Sequence, residues 1–287
     1  MTEGVDDDDE VLAAIAISLG KLVPYVGGAQ HIHTLLTPLE ILLSVEETTV
    51  RENAQTSAVR ISAALPSDQY HSKFVSMISR LAQKEWFTAR ISAANLIASQ
   101  FEKFTPTEQE EHVGYFASLC RDEVPMVRRA AAQSLGSMVE KIVSTSGEYS
   151  VGVDGMITTT FVQLYEHLAS NEQPDSVRLH TTANCISIGK SMEAIQKSGK
   201  GDRMTVDAIH IVVNRIIPLI VACTEDRSWR VRWTTASKFA HVISAFSSMR
   251  GTMDLLVPAY EKLLQDPEAE VRIIQHFYYL LHRFSTF

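Results

Sequence analysis

The sequence predicts an all-α protein built as a solenoid of stacked antiparallel helix pairs. Three observations carry this expectation. Apolar residues recur at helical spacing through most of the chain, as in Ile32, Leu35, Leu36, Leu39, Leu42 and Leu43. A turn followed by an arginine returns at Arg51, Arg90, Arg128, Arg178, Arg232 and Arg272. The steps between these arginines are 39, 38, 50, 54 and 40 residues, so three of the five agree on about forty. A period near forty with two helices per unit marks a repeat array, in which each unit buries its apolar face only against its neighbours.

The clearest unit contains Val124-Pro125-Met126-Val127-Arg128-Arg129-Ala130-Ala131. An apolar-periodic run from Val113 to Leu119 and the acidic pair Asp122-Glu123 precede it, and an Ala-rich amphipathic run continues to Val139. That is helix, tight turn, helix.

Taken in order, residues 1–9 read as an acidic, disordered start. Asp9 and Glu10 suit the positive end of a helix from Val11 to about Val26. No partner helix precedes it, so the array is expected to open with a half repeat at 10–27. Gly27-Gly28 breaks the chain. Helix pairs are then expected at 31–45 with 49–65, 68–83 with 87–103, 107–120 with 125–142, 155–169 with 175–192, 205–223 with 229–247, and 252–265 with 268–283. The corresponding repeats are 28–66, 67–104, 105–142, 155–192, 205–247 and 252–287.

The Ser- and Gly-bearing segments 143–154 and 193–204 account for the two long steps and are expected as inserted surface loops. Pro38, Pro218 and Pro258 fall 13 or 14 residues before the marker arginine, which predicts a kink built into the first helix of those units. The array 10–287 is expected to form one curved superhelix of about six helix pairs plus the half repeat. After Arg272 the small residues of earlier units give way to Ile273, Ile274, Phe277, Tyr278, Tyr279, Leu280 and Leu281. An apolar end face of that kind favours self-association.

The chain has 287 residues, of which 45% are hydrophobic and 21% charged, an ordinary balance for a folded soluble protein. Its net charge of −8 argues against a general nucleic-acid surface. No run of eighteen apolar residues suggests a membrane span. The acidic run from Asp6 to Glu10 is the opposite of a secretory signal. Cys120, Cys185 and Cys223 form no pairing framework, so a reducing compartment is expected, cytoplasmic or nuclear.

No catalytic constellation is legible, and no cofactor is expected. His31 and His33 lie two apart and point to different helix faces, which does not suit a metal ion. Gly189-Lys190-Ser191 imitates the end of a phosphate loop, but Asn184 stands where the earlier glycine is needed and no strand precedes it. The marker arginines are expected to form a structural ladder with the acids six positions earlier, Asp122, Glu172, Asp226 and Asp266. The off-ladder Arg129 and Arg230 then become the better candidates for partner contact. Trp86, Phe87 and Trp229 occupy turn positions, where an aromatic serves as a half-buried staple or as an interface anchor.

An ordered set of motifs narrows the family. Val45-Glu46-Glu47-Thr48-Thr49-Val50-Arg51 comes first, then Glu85-Trp86-Phe87-Thr88-Ala89-Arg90 and Pro125-Met126-Val127-Arg128-Arg129-Ala130-Ala131-Ala132. Asp175-Ser176-Val177-Arg178-Leu179, Ser228-Trp229-Arg230-Val231-Arg232 and Glu268-Ala269-Glu270-Val271-Arg272 follow. Single Val-Arg turns are generic to HEAT repeats. The ordered set, running from about Asp8 to Arg272, resembles the A-type scaffold (the 65 kDa regulatory subunit) of protein phosphatase 2A.

That resemblance implies a non-catalytic scaffold, corresponding to the second half of repeat two through repeat eight of a fifteen-repeat horseshoe. It implies that regulatory B-type subunits dock on the turn ridge. The implied contacts are Glu46, Glu47, Trp86, Phe87, Pro125, Met126, Arg128, Arg129, Asp175, Ser176, Ser228, Trp229 and Arg230. The catalytic subunit is expected to bind only if the C-terminal repeats are supplied. The alternative is a divergent HEAT-repeat adaptor that binds another protein cargo and has no phosphatase role.

Overall fold

The structure is a computed structural model and describes residues 8–151, 154–197 and 203–272. Among the described residues all regular secondary structure is helical. The chain divides into two compact units, residues 1–131 and 132–287. The apolar segment after Arg272, with the self-association expected of it, lies outside the described residues, as do residues 1–7 of the acidic start.

The first unit holds α1 (Asp9–Lys21), α2 (Leu36–Leu42), α3 (Thr48–Ala64), α4 (Ser67–Gln69), α5 (Ser76–Gln83), α6 (Phe87–Gln100), α7 (Pro106–Cys120) and the start of α8 (Pro125–Ser146). The helix expected over 31–45 is composite, because a 3-10 segment at Ala29–Leu35 leads into α2. Pro38 therefore sits in the first α-helical turn, where its missing N–H costs little. In the next repeat a π-helical stretch, Tyr70–Val75, joins α4 to α5.

Local chemistry sets the ends. Asp8 begins the first helix rather than a disordered start, its carboxylate accepting the Glu10 N–H at 3.2 Å. Thr105 and Glu108 cap each other at the head of α7, with Glu108 N–H donating to Thr105 Oγ1 at 3.3 Å and Thr105 N–H to Glu108 Oε2 at 2.8 Å. The second helices pack closely through small residues. Ser57 Oγ donates to Ala16 O at 2.6 Å where α3 meets α1, and Gly20 faces Ser57 there. Leu39, Leu43, Ile61, Phe74, Met77, Phe101 and Phe116 fill the interior.

The second unit holds the remainder of α8, then α9 (Val162–Ala169), α10 (Asp175–Arg178), α11 (Thr181–Lys197), α12 (Arg203–Thr224), α13 (Trp229–Phe246) and α14 (Met253–Leu264). A π-helical stretch at Ile157–Phe161 precedes α9. The segment 143–154 is only partly loop, since α8 runs through Ser146 and a 3-10 turn follows at Gly147–Ser150. The helix expected over 175–192 is interrupted at Leu179 and His180. Pro218 and Pro258 lie inside α12 and α14.

Buried polar side chains cross-link the second helices here. Asn184 donates to Ala132 O at 2.8 Å and accepts the Gly136 N–H at 3.0 Å. Thr182 and Thr235 share a hydrogen bond of 2.9 Å between α11 and α13. Each satisfies a group that would otherwise be buried unpaired.

Candidate docking ridge at the helix turns

Each second helix opens at a fixed register. The marker arginine is always its fourth residue: Arg51 in α3, Arg90 in α6, Arg128 in α8, Arg178 in α10, Arg232 in α13, and Arg272 in the helical residues 269–272. From there the guanidinium folds back over its own turn. Nη1 donates to Val45 O (2.8 Å) and Glu46 O (2.5 Å) in Arg51, and to Lys84 O (2.9 Å) and Glu85 O (2.5 Å) in Arg90. Arg128 holds Asp122 O (2.6 Å) and Glu123 O (3.0 Å), Arg232 holds Asp226 O (2.8 Å), and Arg178 holds Gln173 O. Arg272 holds Asp266 O and Pro267 O.

The carboxylates are held differently from the expectation. A ladder exists, but the acid six positions back is not the ion-pair partner of its own arginine. Its carboxylate is gripped by the arginine of the preceding repeat, through Nε and Nη2. Arg90 binds Asp122 at 2.7 and 3.0 Å, Arg178 binds Asp226 at 2.8 and 2.8 Å, and Arg232 binds Asp266 at 2.6 and 3.1 Å. The reason is geometric. Nη1 is spent on the turn carbonyls, so the remaining edge of the planar fork faces the neighbouring repeat. Glu172, the fourth acid named for the ladder, has no such bond among those described.

The aspartates also shape the turns they occupy. One oxygen accepts the N–H two residues on: Asp122 from Val124 (2.9 Å), Asp226 from Ser228 (2.8 Å) and Asp266 from Glu268 (2.9 Å). The Asp226 hydrogen bonds push the Arg178 pKa up, as the Asp266 bonds do that of Arg232. Burial pushes the Asp266 pKa up, but the Arg232 bonds, the Glu268 N–H and the Arg272 charge together hold it below its ordinary value.

Above these clamps the turns expose large side chains. In the first unit Trp86 is 50% exposed and Met126 52%, with Glu46, Pro125 and Arg129 also exposed and Glu47 and Phe87 half-buried. Trp86 and Phe87 lie 5.7 Å apart between ring centroids. Arg128 is engaged with its own turn.

In the second unit Trp229 and Arg230 are exposed, with the Arg230 guanidinium 5.7 Å from the centre of the Trp229 ring. Asp175, Ser176 and Ser228 are half-buried. Ser228 Oγ donates to Asp175 at 3.2 Å, and Arg230 lies 3.9 Å from the same carboxylate, so these two turns are joined. Sequence reading missed three exposed turn or near-turn residues, Glu85, Glu123 and Trp233. The signal for Trp233 was its place one helical turn beyond Trp229.

Among the described residues no group of three or more His, Cys, Asp or Glu is placed to hold a metal ion, and no helix is long and apolar enough to cross a membrane. Gly189, of the phosphate-loop imitation, lies within α11 and faces Phe246. The three cysteines are buried and unpaired.

A fold of stacked helix pairs with clamped turns defines a HEAT-repeat α-solenoid, and a HEAT repeat profile matches residues 113–142. Solved structures agree on the fold: importin beta superposes with a TM-score of 0.61 at 14% identity, covering 94% of this chain and 31% of that one. Kap121p gives 0.58 at 11% identity, covering 90% and 26%.

By sequence the chain is a relative of the regulatory A subunits of protein phosphatase 2A. It is 34% identical to the one from Saccharomyces cerevisiae over 88% of this chain and 37% of the relative. It is 38% identical to the probable serine/threonine-protein phosphatase PP2A regulatory subunit of Caenorhabditis elegans over 69% and 32%. It is 43% identical to the A alpha isoform of the 65 kDa regulatory subunit of Arabidopsis thaliana over 50% and 25%. The chain spans about a third of the length of the first two of these relatives. All three are named for the regulatory role, not the catalytic one.

Proposed function

We infer that the chain is a non-catalytic scaffold of protein phosphatase 2A that docks regulatory B-type subunits on its turns. One observation carries the reading: large exposed side chains sit on turns whose backbones are held from beneath by a half-buried arginine. Within each unit, turns held this way present aromatic and arginine tips that a partner can grip without first ordering the surface. The sequence relationship to regulatory A subunits supplies the class of partner. In this reading Glu46, Glu47, Trp86, Phe87, Pro125, Met126 and Arg129 serve in the first unit, and Asp175, Ser176, Ser228, Trp229 and Arg230 in the second. Arg128 contributes by holding its turn. The catalytic subunit joins only when further C-terminal repeats are supplied, and the work is done in the cytoplasm or nucleus.

The test is binding of the full chain to purified B-type subunits and, separately, to the catalytic subunit. Arg129→Ala and Trp229→Ala are each expected to weaken B-type binding at least tenfold at unchanged helicity. Unfolding of these variants would make the side chains staples, and wild-type affinity in both would remove the ridge from the docking surface. Capture of the catalytic subunit by this chain alone would overturn the assignment of that contact to other repeats.

A further inference from the structure

One rung of the arginine ladder lacks its acid. In the register of Asp122, Asp226 and Asp266, the residue six before Arg90 is Lys84, a cation. Lys84 binds Ser44 Oγ at 3.3 Å and Glu40 at 3.4 Å. Arg51 is only 4% exposed, and its Nε is buried with no hydrogen-bond partner. Burial draws its pKa down, with partial relief from Glu47 and Glu52. The edge that holds two carboxylate oxygens in Arg90, Arg178 and Arg232 holds one neutral atom here, Thr48 Oγ1, 3.2 Å from Nη2.

Thr48 is exposed and is the first residue of α3, a helix of 17 residues. The positive end of that helix and an under-partnered, buried guanidinium thus meet at one hydroxyl. Glu47, the residue that caps α3, is turned onto the Thr49 N–H at 3.1 Å.

We propose that Thr48 is a phosphorylation site whose phosphoryl group completes this rung by binding the Nε/Nη2 edge of Arg51. A protein kinase would bring a nucleoside triphosphate. Thr48 Oγ1 attacks the γ-phosphorus, the bond to the β-phosphate oxygen breaks, the nucleoside diphosphate leaves, and the hydroxyl proton passes to the kinase base. The product carries close to two negative charges and three strong acceptor oxygens at a helix N-terminus beside an arginine, the setting in which phosphate orders a segment. This holds whether or not the turn docks a regulatory subunit.

The experiment installs phosphothreonine at position 48 of the full chain by genetic code expansion and reads the melting temperature. A rise of about 3 °C is expected, the size set by one or two charge-assisted hydrogen bonds in a chain of this length. Phosphothreonine at 49, which adds the same charge one residue on in the first turn of the same helix, is the control and should give a smaller rise.

In a Lys84→Asp background the rung already holds an acid, and the gain at 48 should vanish. Inorganic phosphate added to the unmodified chain should leave the melting temperature unchanged. An equal rise from phosphothreonine at 49, a gain that survives Lys84→Asp, or the same rise from free phosphate would each overturn the proposal.

Discussion

Arg178 and Asp226 lie 48 positions apart in sequence and meet through two hydrogen bonds of 2.8 Å, with their side chains 1% and 3% exposed. Neither charge has water to fall back on. Removing one partner from a buried pair strands the other and costs about 3–5 kcal/mol. Asp226→Asn, which keeps the volume, is therefore expected to destabilise the chain on that scale in a urea melt. Asp122→Asn should cost less, because the Arg90 pair is about a tenth exposed. A loss below about 1 kcal/mol at Asp226 would show that the rung adds little to stability.

The vacant rung makes the opposite prediction. Lys84→Asp puts an acid in the register of Asp122, within the reach that Arg90 shows there. The variant gives up the Lys84 contact with Glu40, but Arg80 still holds that carboxylate at 2.6 and 3.3 Å. A net gain of about 1 kcal/mol is expected from the charge-assisted bonds. A lower melting temperature than the parent chain would refute the reading of Arg51 as under-partnered.

Two glycines separate close packing from open space. A Cβ on Gly189 would lie 2.6 Å from the Phe246 ring and 3.0 Å from Ala245 Cβ, whereas one on Gly114 would meet nothing within 4 Å. Gly189→Ala should destabilise by about 1–3 kcal/mol through overpacking. Gly114→Ala, inside α7, should stabilise by up to about 1 kcal/mol, because alanine is the better helix former. Equal effects at the two sites in a thermal melt would contradict the packing.

Acid should unfold the chain in two stages. Burial draws the His112 pKa below its ordinary 6.5, against the pull of Glu108 and Glu111, and the ring sits against Phe104 with Nδ1 2.8 Å from Glu108 O. The unfolded chain takes that proton more readily, so stability is full above pH 6.5 and declines as pH falls below it. Glu40, Glu108 and Asp266 follow at lower pH. Burial raises all three, yet their partners (Arg80 and Lys84, then Thr105 and His71, then Arg232 and Glu268) leave each below its ordinary value of 4.5, 4.5 and 3.8. Their stabilisation is full above those values and is lost as pH falls through the depressed folded values. Melting temperature against pH should show both declines, and His112→Gln should remove the first. No decline between pH 7 and 5 would exclude a neutral, buried His112.

The repeat register was legible because a turn arginine at a forty-residue period is a local signal repeated many times. Its ionic partner was not. Spacing alone set Asp122 beside Arg128 in one turn, and only the folded geometry shows Nη1 spent on carbonyls while the other edge reaches the next repeat. The π-helical stretches at Tyr70–Val75 and Ile157–Phe161 leave no mark in the apolar spacing, since one extra residue per turn is absorbed within a single turn. The exposure of Trp86 and Trp229 depends on how neighbouring turns pack, which the sequence left balanced between staple and anchor.

The ladder has a polarity. Arg90, Arg178 and Arg232 each grip their own turn backward along the chain and take a carboxylate forward, from the repeat that follows. Shortening the array from its two ends is therefore not symmetric. Loss of residues after 225 would take both carboxylate bonds from the Arg178 fork. Loss of residues through 178 would take the arginine from Asp226 but leave that carboxylate still bonded to the Ser228 N–H. Those three repeats thus lean on their C-terminal neighbours, and a chain emerging from the ribosome must wait for the next turn before Arg90, Arg178 and Arg232 are neutralised.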